Sequence, residues 1–349
     1  MTSTNTNTRV IFREYAPEGA HSADFFAIDR SQPVPSSSSL TEGQVLVHVS
    51  TLSVDPHQRL FISAPKGAPG DSSEFLYPLG EPIFGIGVGT VAASNNAAFA
   101  VGDQVRSELM PWQEYAALDG QILTKLPQSD LPLSSHVGVF GMPAFTAYLG
   151  LVVAGKPKAG ETLLISAAAG AVGQVAVQLA KARGLRVVGV AGSDDKTAFV
   201  RDLGADAVIN YKTCGDFAAA IKAAAPEGID IYFDAVGGEF LDAALLCLNP
   251  LARVVACGSM STYGAERSSV HGIKNLPSLI VKQATIQFIY YMPHYGTQRE
   301  IEFLDELKQL VDQGKMRFRI DERSGLENAP QALADLFAGN NHGKLIVRV

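Results

Sequence analysis

The fold is decided by the stretch Leu163-Leu164-Ile165-Ser166-Ala167-Ala168-Ala169-Gly170-Ala171-Val172-Gly173, which a helical run from Gln174 to Arg183 follows directly. The pattern predicts a buried strand, a tight turn of small residues and then a helix. Gly170 and Gly173 match the last two glycines of the G-x-G-x-x-G pattern, and Ala168 stands at the first. Without side chains there, a pyrophosphate can rest on the backbone N–H groups of the helix N-terminus. The stretch therefore predicts the first βα turn of a dinucleotide-binding domain, although such turns also occur for packing alone.

The second predicted strand, Arg186 to Ala191, indicates which dinucleotide would be bound. Domains that bind NAD usually place Asp or Glu about 20 residues beyond the glycines, where it bonds the ribose 2′-OH. Ser193 occupies that place here, and Lys196 follows it. A hydroxyl with a nearby cation suits a 2′-phosphate, so the residues favour NADP(H) over NAD. Asp194 and Asp195 would repel a phosphate, and we expect them in the first turn of the next helix, directed away from the site.

Size and composition limit the class of protein. A chain of 349 residues can hold two domains, and its 47% hydrophobic and 18% charged residues are typical of a compact enzyme. The net charge of −7 offers no basic surface for nucleic acid or anionic lipid. The N-terminal segment from Met1 to Arg9 is polar and lacks the apolar run of a secretory signal, so we predict no such signal. We also predict no membrane span, because no uniformly apolar stretch reaches about 20 residues.

The cysteines and histidines give no sign of a metal site or a disulfide framework. Three cysteines, Cys214, Cys247 and Cys257, form no close pair, and the chain has no Asn-x-Ser/Thr sequon. These observations favour a reducing, cytoplasmic setting. The seven histidines are scattered, and no Cys or His group has the spacing of zinc ligands. We therefore predict no bound metal.

From Leu163 onward, predicted strands and helices alternate, which predicts a doubly wound parallel sheet. The further predicted strands are Ala207–Tyr211, Ile229–Phe233, Arg253–Cys257 and Thr285–Tyr290. The predicted helices are Asp194–Leu203, Phe217–Ala225, Glu239–Leu248 and Gln298–Gln313.

The chain before about residue 130 has a different, β-rich pattern with Pro and Gly loops. Val45–Ser50 and Gly87–Val91 are predicted strands there, and the last strand, Lys344–Val349, resembles this half. The sequence therefore predicts an α/β protein of two domains. The β-rich domain spans residues 1–137 and is completed by about 315–349, and the dinucleotide-binding domain spans 138–314.

Short motifs over nearly the whole chain resemble a known family. In order and spacing, the chain is similar to zinc-independent members of the medium-chain dehydrogenase/reductase superfamily, and most to the leukotriene/prostaglandin reductases and alkenal double-bond reductases. The motifs are Ser53–Arg59, Gly80–Ile83, Gly87–Val91, Trp112–Tyr115, Gly141–Tyr148, the glycine turn, Gly192–Lys196, Asn210–Lys212, Val236–Glu239, Cys257–Tyr263 and Gly339–Lys344.

The resemblance implies a GroES-like catalytic domain, a Rossmann domain that binds NADP(H), and a homodimer. It implies that Lys196 and Tyr211 hold the 2′-phosphate, beside Ser193, and that the turn Gly170, Ala171, Val172 and Gly173 contacts the pyrophosphate. It places around the nicotinamide half Met142, Thr146, Cys257, Gly258, Ser259, Met260, Ser261, Thr262, Tyr263, Phe288, Ile289, Tyr290 and Asn341.

Two positions depart from the family pattern. The family commonly has Tyr after Asp-Pro, and here the residue is His57. His57 is a candidate substrate contact or proton source, or a residue that only shapes the pocket. The family often has Asn before Val-Gly-Gly as a cofactor contact, and here the residue is Ala235. Loss of that contact should weaken cofactor binding by about 0.5–1.5 kcal/mol.

The implied chemistry is hydride transfer from NADPH to the β-carbon of an α,β-unsaturated aldehyde or ketone, without a metal. The negative charge then moves to the carbonyl oxygen, which needs hydrogen-bond donors. We take Tyr263 as the catalytic donor, with the cofactor ribose as the second; the alternative is that Tyr263 only packs at the domain edge. Trp112 and Tyr291 are candidate apolar walls of the substrate pocket. An NADPH quinone reductase of the same superfamily and a non-catalytic NADPH-binding protein remain alternative functions.

Overall fold

The computed structural model describes residues 6–64, 76–127 and 131–349, so the first five residues of the polar N-terminal stretch lie outside it. The chain divides into two compact units. A β-rich unit comprises residues 1–137, 320–341 and 345–349, and an α/β unit comprises residues 138–319 and 342–344. In the described part of the chain, no helix is both long and apolar enough to span a bilayer.

Antiparallel strands build the N-terminal part of the β-rich unit. Its elements are β1 (Arg9–Phe12), β2 (Phe26–Asp29), β3 (Gln44–Ser53), α1 (Gln58–Phe61), β4 (Phe84–Ser94), β5 (Gln104–Pro111), β6 (Tyr115–Asp119) and β7 (Thr124–Lys125). Strands β1 and β2 pair with each other, and β3 pairs with both β4 and β6. The two strands predicted for this region lie inside β3 and β4, where branched residues suit a pleated, half-buried surface.

Parallel strands and helices alternate in the α/β unit. Its elements are α2 (Met142–Tyr148), β8 (Thr162–Ile165), α3 (Ala171–Ala182), β9 (Arg186–Ala191), α4 (Asp194–Asp202), β10 (Ala207–Asn210), α5 (Phe217–Ala224), β11 (Ile229–Asp234), α6 (Gly238–Leu245), β12 (Leu248–Ala256), α7 (Ser278–Lys282), β13 (Thr285–Phe288) and α8 (Gln298–Asp312). The strand order is β10-β9-β8-β11-β12-β13. This is the predicted doubly wound sheet, and the fold class is confirmed.

The central strands of this sheet are buried on both faces. Leu163 and Ile165 of β8 belong to one apolar cluster, and Leu164 between them belongs to a second cluster. Successive side chains of a strand point to opposite faces, so the two clusters lie on the two sides of the sheet. Burial on both faces explains the continuous apolar run that the sequence shows.

The largest errors among the predicted boundaries of the α/β unit lie around Leu248, where β12 begins five residues before the predicted strand Arg253–Cys257. The helix predicted for Glu239–Leu248 ends at Leu245, and Leu248 already begins β12. Pro250 explains the difference, because the residue before a proline, here Asn249, is disfavoured in the helical conformation. A π-helical stretch, Leu149–Ala154, continues α2 and has no counterpart in the predictions.

The C-terminal segment returns to the β-rich unit. It contains β14 (Ile320–Ser324), α9 (Ala329–Ala338) and β15 (Lys344–Arg348). Strand β15 pairs antiparallel with β3, with Ile346 opposite Ser53. The resulting seven-stranded sheet has the order β14-β15-β3-β4-β5-β7, with β6 paired to β3.

Candidate functional site

Most of the predicted cofactor residues follow the carboxyl ends of parallel strands. Gly170 comes after β8, Ser193 after β9, Tyr211 after β10, and the loop Cys257–Tyr263 after β12. Because the strands are parallel, these segments lie along one edge of the sheet. Ligands of doubly wound folds bind at this edge.

The glycine turn presents an open helix end. Gly170 is the N-cap of α3, and no side chain in the described ranges caps the first-turn N–H groups there. A Cβ on Gly173 would lie 2.3 Å from the carbonyl oxygen of Ala167 and 2.6 Å from Cα of Ala168, whereas one on Gly170 would meet only the Ala167 oxygen, at 3.1 Å. Gly173 therefore allows α3 to pack closely on the turn, and Gly170 keeps the helix end uncovered.

The next strand end brings together the residues predicted to bind a 2′-phosphate. Ser193 is the N-cap of α4, and its hydroxyl accepts from the backbone N–H of Lys196 at 3.4 Å. The ring of Tyr211 lies against Gly192, where an added Cβ would be 2.5 Å from Cε1 and 2.8 Å from the hydroxyl oxygen. Gly192 is therefore needed for the position of Tyr211, whose side chain is 44% exposed.

The two carboxylates beside Lys196 both have partners. They occupy the first turn of α4, as predicted. Asp194 accepts from Nδ2 of Asn210 at 3.1 Å, and Asp195 lies 2.9 Å from Nδ1 of His342 and 3.4 Å from Nη1 of Arg319. These contacts reduce the repulsion that the carboxylates would exert on a phosphate. Arg319 and His342 were not predicted, because they lie 124 and 147 residues from Asp195 along the chain.

Helix α2 supplies a buried hydroxyl. Thr146 is 9% exposed, and within the part of the chain that the structure describes its Oγ1 has no hydrogen-bond partner; Met142 on the same helix is 8% exposed. An unsatisfied buried hydroxyl is costly, and in native structures such groups call for an explanation. The carboxamide of a bound nicotinamide would supply a partner. The residues present therefore fit a dinucleotide.

Tyr263 lies in the loop that follows β12, and its hydroxyl is held by that loop. The backbone N–H of Ser259 donates to the hydroxyl oxygen at 3.2 Å. Among the described residues no acceptor receives the hydroxyl proton. Burial raises the pKa of Tyr263 above its usual value. The phenol therefore stays protonated at neutral pH and has its proton to donate.

The rest of this loop is fixed by backbone contacts. Cys257 donates its N–H to the carbonyl oxygen of Asp234 at 2.7 Å, and burial raises the pKa of its thiol to about 12. It is therefore an inert thiol rather than a nucleophile. The hydroxyls of Ser261 and Thr262 donate to carbonyl oxygens at 2.6 and 2.8 Å, and Met260 N–H donates to a third at 3.2 Å.

Asp234 anchors this region, although the sequence analysis did not select it. The side chain is buried at 1% exposure. Its Oδ1 accepts from the Ser166 and Tyr232 hydroxyls, at 3.2 and 2.8 Å, and from the N–H groups of Val236 and Gly237, both at 3.0 Å. The carboxylate thus ties the turn after β8 to the turn after β11.

The end of β13 and the residues that follow it are largely exposed. Phe288 is 81% exposed and Tyr290 is 65% exposed. Ile289 between them packs against the apolar core and donates its N–H to Ala256 at 3.1 Å. The ring of Tyr291 contacts those of Tyr290 and Tyr295, with centroids 5.8 and 5.2 Å apart.

Three predicted site residues belong to the β-rich unit. His57 precedes α1 at its N-cap, and its ring meets Phe61 edge-on with centroids 5.6 Å apart. Asn341 is 9% exposed. Trp112, predicted as a pocket wall, is fully buried and stacked near Phe26, so its ring offers no accessible surface. Its apolar area is used in the core of the unit.

Within residues 6–64, 76–127 and 131–349, no group of three or more His, Cys, Asp or Glu side chains could hold a metal ion.

Two family models match the chain. One, described as "N-terminal domain of oxidoreductase", matches residues 9–126, and one described as "Zinc-binding dehydrogenase" matches residues 171–309. The zinc-type alcohol dehydrogenase-like protein PB24D3.08c of Schizosaccharomyces pombe is 41% identical over 88% of this chain and 87% of its own length. Prostaglandin reductase 1 of Mus musculus is 38% identical, over 88% and 90%. The NADP(+)-dependent 2-alkenal reductase of Nicotiana tabacum is 39% identical, over 87% of each.

The chain belongs to the medium-chain dehydrogenase/reductase superfamily. Within it, the relatives place the chain in the zinc-independent family of prostaglandin and alkenal reductases, which confirms the resemblance seen in the motifs. The chain is accordingly an oxidoreductase. A crystal structure of CurA from Vibrio vulnificus in complex with NADPH matches with a TM-score of 0.88, at 36% identity over 98% of this chain and 99% of that one.

Proposed function

We propose that this oxidoreductase uses NADPH to reduce the C=C bond of small α,β-unsaturated aldehydes and ketones. The names of its relatives support the substrate class and the cofactor. The observation that carries the proposal is the protonated, loop-held phenol of Tyr263 on the same sheet edge as the open helix end of α3. That arrangement offers an anion site and a hydrogen-bond donor together.

In the proposed cofactor site, different segments of the α/β unit bind different parts of NADPH. Lys196 and Tyr211 bind the 2′-phosphate beside the Ser193 hydroxyl. The contacts of Asp195 with Arg319 and His342 reduce the repulsion between its carboxylate and the phosphate. The first-turn N–H groups of α3 bind the pyrophosphate. The buried hydroxyl of Thr146 binds the nicotinamide carboxamide.

The chemical half of the proposal rests on Tyr263. NADPH, when bound, supplies the hydride that adds to the β-carbon of the substrate. Tyr263 donates its hydrogen bond to the carbonyl oxygen, where negative charge develops. Because Ser259 N–H already occupies one side of the phenol oxygen, the hydroxyl is oriented before substrate arrives. His57 and Tyr291 are the proposed substrate contacts.

The test follows NADPH consumption by its absorbance and identifies the products by mass spectrometry. The purified protein is offered a 2-alkenal, the corresponding saturated aldehyde and a quinone, each with NADPH and with NADH. We expect turnover of the 2-alkenal with NADPH, with one deuterium at the β-carbon when the cofactor is deuterated at C4. Turnover of the quinone alone would support the alternative reductase. Tight NADPH binding without any turnover would support the non-catalytic function.

We also propose that the chain forms a homodimer through β13, in a reducing, cytosolic setting. Strand β13 ends the parallel sheet of the α/β unit, and in the described ranges it pairs only with β12. Next to it, Ile280 and Val281 of α7 are 77% and 83% exposed. An apolar, unpaired edge strand is a template for another strand, and a twofold axis would join two copies of β13 antiparallel.

The oligomeric state tests this part of the proposal. Light scattering during size-exclusion chromatography should give twice the 37.0 kDa chain mass. Val281→Glu should shift the protein toward the monomer, whereas Val101→Glu, at a 70% exposed apolar residue of the β-rich unit, should leave the dimer intact. A monomeric native protein would exclude the dimer.

A further inference from the structure

The β-rich unit contains a fully buried arginine that has no carboxylate partner among the residues that the structure describes. Arg59 lies on α1 and is 1% exposed. Its Nη1 donates to the Ser63 hydroxyl at 2.6 Å, and its Nη2 donates to the Pro17 carbonyl oxygen at 2.8 Å. Among the described residues no carboxylate forms an ion pair with it, and its Nε–H has no acceptor.

The neutral acceptors leave the charge of Arg59 uncompensated. A guanidinium does not lose its proton in proteins, so the group remains a buried cation. A buried charge is stable only where it is paired or well hydrogen-bonded. Burial lowers the pKa of Arg59, which reflects the same cost. A negative charge close to Nε–H would remove most of the free-energy cost of burying this cation.

A small cavity lies beside this side chain. Its volume is about 10 Å³, and its walls include Arg59, His21, Phe25, Leu333 and Phe337. This volume holds about one water-sized particle. No acidic side chain is among the described residues that line it. The space therefore suits one small particle next to a cation and apolar walls.

We propose that this cavity is a binding site for a single monatomic anion of the halide class, held by the Nε–H of Arg59. The anion supplies both the missing acceptor and the missing negative charge, whereas a water supplies only the acceptor. Arg59 joins Pro17 to Ser63, so the bound anion stabilises the junction between the segment before β2 and α1. The proposal is independent of the proposed reductase activity.

Diffraction tests the site directly. Crystals grown without halide are soaked in sodium bromide, and anomalous differences are collected near the bromine edge. We expect an anomalous peak within hydrogen-bonding distance of Nε of Arg59. Water-sized density without an anomalous signal, at a bromide concentration that labels other surface sites, would overturn the proposal.

Thermal unfolding tests it in solution. Midpoints are measured in sodium bromide and in sodium gluconate at equal ionic strength, for the native protein, Arg59→Met and Arg13→Met. Arg13 is an exposed arginine, so its variant controls for the loss of one charge. Bromide should raise the unfolding midpoint, relative to gluconate, in the native protein and in Arg13→Met. We expect this rise to be at least about 2 °C larger in these two proteins than in Arg59→Met. Equal differences in all three proteins would contradict the site. If Arg59→Met fails to fold, the diffraction result on the native protein decides.

Discussion

Gly192→Ala should weaken the binding of NADPH and leave that of NADH nearly unchanged, although it alters no charged side chain at the site. The added Cβ would lie 2.5 Å from Cε1 of Tyr211 and 2.8 Å from its hydroxyl oxygen. Carbon atoms in contact prefer about 3.5–4 Å, so the ring must retreat by about 1 Å. The ring is 44% exposed and free to swing outward, so we expect the free energy of unfolding to change by less than about 1 kcal/mol.

The effect on cofactor affinity follows from the displaced hydroxyl. A hydrogen bond to a charged group contributes about 1.5–3 kcal/mol, so losing the proposed bond from Tyr211 to the 2′-phosphate should raise the Kd for NADPH by about 10- to 150-fold. NADH has no 2′-phosphate, so its Kd should stay within about twofold.

Calorimetric titration of NADPH and NADH into Gly192→Ala, Tyr211→Phe and the double variant measures this directly. Tyr211→Phe should reproduce most of the NADPH loss, and the double variant should lose little more, because both changes remove the same hydrogen bond. Equal losses for the two dinucleotides in Gly192→Ala, or full additivity in the double variant, would refute the assignment of Tyr211.

Further outcomes test the rest of the site. Tyr263→Phe should lower kcat about 10- to 100-fold and leave the affinity for NADPH nearly unchanged. Because burial raises the pKa of Tyr263, deprotonation of this group should cause no fall in the rate of the native protein at any pH below the usual tyrosine pKa near 10. Arg319→Met should weaken NADPH binding a few-fold at low salt, because Asp195 loses a cation 3.4 Å away. The effect should become smaller as the salt concentration rises. An effect that persists at high salt would argue against an electrostatic cause. Gly173→Ala should lower the free energy of unfolding in urea by about 1–3 kcal/mol, since the added Cβ would meet backbone atoms at 2.3 and 2.6 Å. Gly170→Ala should mainly reduce the affinity for the cofactor. Similar stabilities of the two variants would contradict the packing argument.

The α/β unit was predictable because its signals are local. The run before the glycine turn is apolar on both faces of a strand, and small residues followed by a helical pattern leave few alternatives. The same logic failed at Leu248, where the helical periodicity of α6 continues into β12 and only Pro250 marks the change. In the β-rich unit, β3 and β4 were found from their alternation, whereas β7 has two residues and no pattern of its own.

The site was predictable only in part, because part of it is built by distant residues. Motif position identified Lys196 and Tyr211, and these roles stay predictions. Asp195 contacts His342 and Arg319, and a contact across more than 120 residues leaves no trace in local periodicity. The buried charge of Arg59 was likewise invisible, because exposed and buried arginines look alike in sequence.

The pairing of β15 with β3 also bears on how this protein is made. Ribosomes release the chain from its first residue onward, so every strand of the α/β sheet, β8 to β13, emerges before β15 exists. The nucleotide-binding half can therefore complete its sheet during translation, while Thr51–Ser53 of β3, on the part of the edge that β6 does not pair, have no strand partner on that side until β15 appears. A stalled or prematurely terminated chain would expose that edge, which makes it the expected point of nascent-chain aggregation and of chaperone engagement.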